Sequence, residues 1–100
     1  MEKPEILTPE EVKAELLKLP GWKYGDNKIF KRFKFKDFLD SLGFVNSLAP
    51  YFESMDHHPD VHIMYSDILF ELQRFDVGGQ VTDRDIAEAH EIESRYKNRK

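Results

Sequence analysis

The sequence predicts an α+β domain in which helices cover one face of a four-stranded antiparallel sheet. Capping motifs mark helix starts at residues 8–11 and 82–85, and a long apolar helical pattern lies between them. Four short segments alternate as strands do and form two pairs. They are residues 22–24, 29–36, 61–65 and 68–73. The order α-β-β-α-β-β-α is typical of two hairpins in one sheet with helices on one side.

The first helix has a complete start signal. Thr8 can act as its N-cap, Pro9 suits the first helical position and Glu11 can complete a capping box. Pro20 and Gly21 predict its end. The apolar residues that recur at helical spacing between these signals are Val12, Leu16 and Leu19.

Both predicted hairpins have short turns. Gly25-Asp26-Asn27 separates the first two strands, and only Ser66 and Asp67 separate the last two. In the second strand the alternation places three apolar residues on one face, with Lys31 as an exception. These residues are Ile29, Phe33 and Phe35.

The middle helix is predicted to start at the capping residue Asp37 and to bury one apolar stripe. The stripe is spaced by four, three, four and three residues: Phe38, Leu42, Val45, Ala49 and Phe52. Pro50 removes a hydrogen bond to the carbonyl of Asn46, so the helix is expected either to bend there or to end early and restart.

The last helix is predicted to begin after Thr82, with Asp85 at its third position. A carboxylate there can serve as part of the cap. It also begins a stripe at helical spacing, formed by Asp85, Ala89, Ile92 and Tyr96. Val77-Gly78-Gly79-Gln80 reads as a loop before this helix, too short and wrongly placed to cradle a phosphate.

Composition bounds the class of protein. With 100 residues and 40% hydrophobic residues, the chain is expected to be a single domain covering residues 1–100. There is no cysteine, so disulfides and thiolate metal sites are excluded. The net charge of −4 argues against direct nucleic-acid binding. No segment is apolar over a membrane-spanning length, and a cytoplasmic protein that does not bind membranes is the expectation.

The strongest candidate site is the doublet His57-His58, which lies in an acidic stretch and precedes Pro59. Histidine titrates near neutral pH and is a natural proton carrier. The proline biases His58 towards extended geometry, which places the doublet at a corner between two elements. Neither histidine is expected to belong to the core. The simpler alternative is a polar loop with two solvated histidines.

A metal site is a competing interpretation. On a helix, His58 and His62 would be one turn apart and could share an ion. The alternation after Pro59 favours a strand, on which four residues span about 13 Å, too far for one ion. We therefore expect no metal, and we expect His62 and His90 to be surface histidines.

Over nearly its whole length, the sequence resembles the pterin-4a-carbinolamine dehydratases, also called 4a-hydroxytetrahydrobiopterin dehydratases. The central motif is a glutamate four residues before His-His-Pro, followed by an aromatic residue six positions after the proline. The residues that satisfy it are Glu53, His57, His58, Pro59 and Tyr65. Further matches are Leu7 to Glu11, Gly21-Trp22, Phe35 to Phe38, Gly43-Phe44, and Thr82 to Asp85 with Ala87.

The resemblance implies the same α-β-β-α-β-β-α fold, assembled as a homodimer or homotetramer. It implies loss of water from a pterin-4a-carbinolamine substrate, in tetrahydrobiopterin recycling, with no cofactor and no metal. The implied catalytic residues are His57, His58, Asp85 and Glu53. The implied substrate-binding residues are Pro59, Val61, Tyr65 and Phe75.

Two positions depart from the family pattern. Phe75 stands ten residues after Tyr65, where the family has histidine or sometimes tryptophan, and it cannot transfer a proton. Phe75 can still stack on a flat ring. Val61 replaces an aromatic residue that the family often has there. The alternative function is therefore a family member of low or no activity that acts as a protein-interaction or dimerisation module.

Overall fold

The computed structural model of the protein describes residues 5–73 and 80–99. The helices and strands run in the predicted order, which confirms the α+β fold class. They are α1 (Pro9–Leu16), β1 (Lys23–Gly25), β2 (Lys28–Lys34), α2 (Phe38–Met55), β3 (Asp60–Met64), β4 (Asp67–Leu72) and α3 (Asp83–Asn98). Within these described ranges, no helix is long and apolar enough to cross a membrane.

The four strands form one antiparallel sheet in the order β1-β2-β4-β3. Strand β4 is central, and its Ile68 lies opposite Phe33 of β2 on one side and Ile63 of β3 on the other. Strands β1 and β3 are the edges. Each edge strand is the hairpin partner of a central strand, so both predicted hairpins are confirmed.

The helices pack on one face of this sheet. The apolar side chains of β4 that point to this face are buried: Ile68, Phe70 and Leu72. Phe44 of α2 meets Phe70 edge-on, with ring centroids 6.2 Å apart. Tyr96 of α3 meets Phe33 of β2 at 4.8 Å. These aromatic contacts join both long helices to the two central strands.

The opposite face of the sheet carries charged side chains. Glu71 of β4 accepts a hydrogen bond from Lys28 Nζ and is bonded to His62 Nε2 at 2.7 Å. The bond from Lys28 is the main reason that the pKa of Glu71 lies below its ordinary value, and His62 adds to that effect. The same bond raises the pKa of Lys28. His62 is therefore a surface histidine, as predicted.

Local capping explains where the helices begin. In α1 the Thr8 hydroxyl accepts from Glu11 N at 3.1 Å, while Glu11 Oε1 accepts from Thr8 N at 2.9 Å. In α2 the Asp37 carboxylate accepts from Asp40 N at 2.8 Å. Both predicted N-caps are confirmed, because they depend only on residues three positions apart.

The end of α1 was predicted too late. The helix ends at Leu16, not at Pro20. Beyond it the backbone makes tighter turns, in which Lys18 N donates to Glu15 O and Leu19 N to Leu16 O, both at 3.0 Å. These turns carry Leu19 into the core, where it is 1% exposed.

The predicted buried stripe of α2 is only partly confirmed: Phe52 is buried and Leu42 and Val45 are partly buried, whereas Phe38 and Ala49 are exposed. Phe38 is 46% exposed. The buried residues of the helix are Ser41, Phe44, Leu48 and Phe52. The helix is apolar on more than one side, so its sequence contains two stripes of similar spacing. Only the contacts of Phe44 show which stripe faces the core. Pro50 lies inside one continuous helix, and because Pro50 and Asn46 are exposed, water can reach the carbonyl that loses its partner.

The β3–β4 turn is shifted by one residue from the prediction, because its two turn residues are Tyr65 and Ser66. Tyr65 has a φ of 58°, in the left-handed region that a bulky side chain seldom adopts. The buried Ser41 hydroxyl donates to Tyr65 O at 3.0 Å. This bond from α2 helps to hold the turn and explains why a serine occupies a core position.

Candidate active site

The histidine corner is formed by the end of α2. Asp56 is the C-cap and adopts the left-handed conformation, with φ 50° and ψ 43°. His57 N then donates to Phe52 O at 3.3 Å, which closes the last turn. The chain reverses direction there, so the two imidazoles point to different sides. His57 turns inward and is 4% exposed, whereas the side chain of His58 is 55% exposed.

His57 lies against the first turn of α3. Its Nε2 is hydrogen-bonded to Asp85 Oδ1, and Asp85 is completely buried. An ionised carboxylate only accepts, so a histidine donates to it through a protonated ring nitrogen. The second oxygen, Asp85 Oδ2, accepts from Thr82 N at 2.7 Å and from the Thr82 hydroxyl at 3.2 Å. Asp85 thus forms part of the helix cap, as predicted, and is also the hydrogen-bond partner of His57.

The burial of His57 corrects the expectation that neither histidine belongs to the core. The ring is enclosed because the left-handed cap at Asp56 directs it towards α3. Sequence spacing could not show this, because the pairing joins residues 28 positions apart.

His58 has different surroundings. Its Nε2 is bonded to Glu53 Oε1 at 2.8 Å, and the side chain of Glu53 is 76% exposed. The pair lies in solvent, so the bond is screened and contributes little to stability. It does orient the His58 ring, as a carboxylate bound to one ring nitrogen can.

Glu88 is a residue of this site that the sequence did not single out. It is completely buried on α3, and its Oε1 lies 4.0 Å from His57 Nε2. Glu88 follows Asp85 by three positions, so the two carboxylates share one side of the helix. That spacing was a signal in the sequence, but helix surfaces commonly carry such pairs in solvent.

Several contacts hold the start of α3 against the end of α2. Arg84 Nη1 donates to Met55 O at 2.9 Å, which satisfies a carbonyl in the last turn of α2. On the other side of the α3 start, Leu7 N donates to Val81 O and Asp83 N donates to Glu5 O, both at 3.0 Å. The chain before α1 therefore fixes the segment that leads to Asp85.

The structure places the predicted substrate-binding residues unevenly. Pro59 is half-buried directly beside the corner, and Val61 is half-buried against the core. Tyr65 is 70% exposed at the far end of β3, and six extended residues from Pro59 span roughly 20 Å. Within this chain, Tyr65 therefore does not lie at the corner. Phe75 lies outside the described residues.

The histidines do not converge as metal ligands would. His57 is bonded to Asp85, His58 to Glu53 and His62 to Glu71, on three different sides of the chain. Among residues 5–73 and 80–99, no group of three or more histidine, aspartate or glutamate side chains could hold an ion.

Fold and site together define a class of protein: an α+β domain with two adjacent imidazoles at one corner, each bonded to a carboxylate. Residues 5–95 match the family model described as pterin 4 alpha carbinolamine dehydratase. The chain therefore belongs to this family, and the resemblance inferred from residues 53–65 is confirmed.

Relatives and solved structures agree with this membership. A pterin-4-alpha-carbinolamine dehydratase homologue of Picosynechococcus sp. is 44% identical over 80 residues, which cover 80% of this chain and 86% of the relative. A homologue of Sulfurisphaera tokodaii is 41% identical over 87 residues, covering 87% and 92%.

A crystal structure from Brucella melitensis, described as a transcriptional coactivator/pterin dehydratase, superposes with a TM-score of 0.83 at 35% identity. The match covers 90% of this chain and 97% of that one. A pterin dehydratase-like protein described as a RuBisCO assembly factor of the alpha-carboxysome shares the fold, with a TM-score of 0.60 at 22% identity over 74% and 90% of the two chains.

The two histidines should differ sharply in their effect on stability. His57→Ala leaves a cavity and removes the partner of buried Asp85, so we expect it to lower the free energy of unfolding by about 2–4 kcal/mol. His58→Ala changes an exposed pair and should cost less than about 0.5 kcal/mol. Urea unfolding followed by circular dichroism measures both. Equal costs for the two variants would mean that His57 is not buried as described.

Proposed function

We propose that this protein removes water from a 4a-hydroxytetrahydropterin to give the quinonoid dihydropterin. Family membership supports the dehydratase class. The observation that carries the proposal is the pair of imidazoles at one corner, with His57 among buried carboxylates and His58 in solvent. Two proton carriers in different environments suit a reaction that needs both an acid and a base.

The reaction requires two proton transfers and no redox step. The 4a-hydroxyl group accepts a proton and leaves as water, and N5 loses its proton as the double bond to C4a forms. A positioned imidazole contributes typically about 10²–10⁴-fold to such a step. In this proposal His57 and His58 divide the two transfers, and Nδ1 is the free side of His57 because Nε2 is held by Asp85.

The carboxylates orient the rings. Asp85 fixes the His57 ring from α3, and Glu53 fixes the His58 ring from the last turns of α2. Pro59 stands next to the pair and can form part of a pterin pocket. Four further proposals rest on the resemblance: stacking by Phe75 on the pterin, the use of Val61 and Tyr65, the absence of a cofactor, and the role in tetrahydrobiopterin recycling. The cytoplasmic location is a proposal that rests on the composition of the sequence.

A role as an interaction module is the second candidate. One observation favours it: α2 exposes large apolar side chains, with Phe38 46% and Leu39 76% exposed. The description of the Brucella melitensis relative as a coactivator points the same way. The same apolar surface supports the proposal that the protein assembles as a homodimer or homotetramer, because exposed apolar side chains on neighbouring positions mark contact surfaces.

The catalytic proposal predicts a specific loss of rate. The wild-type protein should accelerate dehydration of a synthetic 4a-hydroxytetrahydropterin, followed by ultraviolet absorbance, and His58→Ala should lower kcat by about 10²-fold or more while the fold is kept. His62→Ala is the matched control, since His62 is also exposed and carboxylate-bonded but lies on the other face of the sheet. A wild-type protein without activity would favour the interaction module, and full activity in His58→Ala would remove His58 from the mechanism.

Assembly is tested by light scattering. We expect a mass of two or four times the 11.9 kDa of one chain at micromolar concentration. Leu39→Asp should shift the protein towards the monomer, because it places a charge on the apolar surface of α2. Leu17→Asp is the control, as Leu17 is 85% exposed but follows α1 and is not part of α2. A wild-type monomer would contradict the assembly proposal.

A further inference from the structure

Glu88 occupies a position where a carboxylate is costly. The face of α3 that it shares is otherwise mostly apolar, with Ile86, Ala89 and Ile92 all buried. Glutamate side chains are rarely buried completely. The cost of removing a carboxylate from water is several kcal/mol in general, so a buried glutamate next to a candidate catalytic histidine calls for a functional explanation.

The functional explanation for the buried Glu88 carboxylate is its position next to His57. Asp85 Oδ1 and Glu88 Oε1 both approach the same nitrogen, His57 Nε2, the first in a hydrogen bond and the second at 4.0 Å. One N–H can donate to only one of them in good geometry. Asp85 therefore fixes the ring, and Glu88 acts on it as a nearby charge in a medium where charges interact strongly.

We propose that Glu88 is a positioning residue of the dehydratase site, which stabilises the protonated form of His57 during turnover. The inference rests on the proposed function, because it assigns His57 the role of a proton carrier. Two carboxylates around one imidazole favour the imidazolium ion, which is the form of His57 that delivers a proton to the leaving hydroxyl group. In this proposal Glu88, which is completely buried on α3, acts on the reaction only through His57.

The other charged groups around this cluster come from α2 and α3. Burial is the main reason that the pKa of the Tyr51 hydroxyl on α2 is raised. The charges of Glu88 and Glu91 raise this pKa further, and the charge of Arg95 lowers it. Arg84 of α3 is directed to the carbonyl of Met55. On the corner itself, Asp56 and His58 are exposed, so water screens their effect on His57.

The test is the pH dependence of the reaction in Glu88→Gln. The amide keeps the volume of the side chain and removes the charge, so the protonated form of His57 becomes less favourable. We expect the limb of the kcat profile on which kcat falls with rising pH to move to lower pH by about one unit. At neutral pH, kcat should be about tenfold lower, and KM should be unchanged. Glu88→Leu also removes the charge and should show the same shift of the pH profile. It replaces Glu88→Gln in this test if Glu88→Gln folds less well.

Glu91→Gln is the matched control. Glu91 lies on the same helix and is bonded to Arg95 at 2.6 Å in a partly exposed pair. Its replacement should leave the pH profile where it is in the wild type. A Glu88→Gln protein with a wild-type profile would overturn the proposal and leave Glu88 a structural residue only.

A second measurement separates this inference from the proposed function. Proton NMR titration of the His57 ring requires no substrate and reads the same electrostatic effect. The titration midpoint of His57 should fall in Glu88→Gln and stay in place in Glu91→Gln. If the wild type lacks dehydratase activity but this shift is seen, the proposed function fails and the link between Glu88 and His57 stands; if the midpoint does not move, the link itself is wrong.

Discussion

The hydrogen bond between His57 and Asp85 is the interaction on which the rest of the site depends. It joins the corner after α2 to the first turn of α3, and both side chains are buried. Asp85 also accepts from Thr82, so the start of α3 and the orientation of the imidazole are fixed by the same carboxylate. A buried hydrogen-bonded pair is costly to break, because removal of one partner leaves the other buried without its hydrogen bond, and this favours one relative position of α2 and α3.

Much of the fold could be predicted because its signals are local. The capping residues Thr8 and Asp37 act over three positions, and strand alternation reports burial directly in β4. The buried side of α2 could not be predicted, because its apolar residues form two stripes. The contacts of Phe44 with Phe35 and Phe70 determine which stripe faces the core. The end of α1 at Leu16 is set by turns that the sequence does not mark as clearly as Pro20.

The sequence predicted the histidine corner, but it did not predict how deeply each histidine is buried. The spacing of Glu53, His57 and His58 identifies a family, and the structure pairs His58 with Glu53. That His57 is buried while His58 is exposed follows from the left-handed Asp56, which no local pattern required. Glu88 was missed because a glutamate on a helix is normally solvated, and only the packing of α2 against α3 encloses this one.

The central claim, that the buried pair of His57 and Asp85 links the fold to the acid–base site, is tested most directly by a double-mutant cycle. His57→Ala, Asp85→Asn and the double variant are unfolded in urea, and the cycle removes the separate contribution of Asp85 to capping. A coupling energy of about 1 kcal/mol or more between the two positions is the predicted result. Costs that add to within about 0.3–0.5 kcal/mol would contradict it.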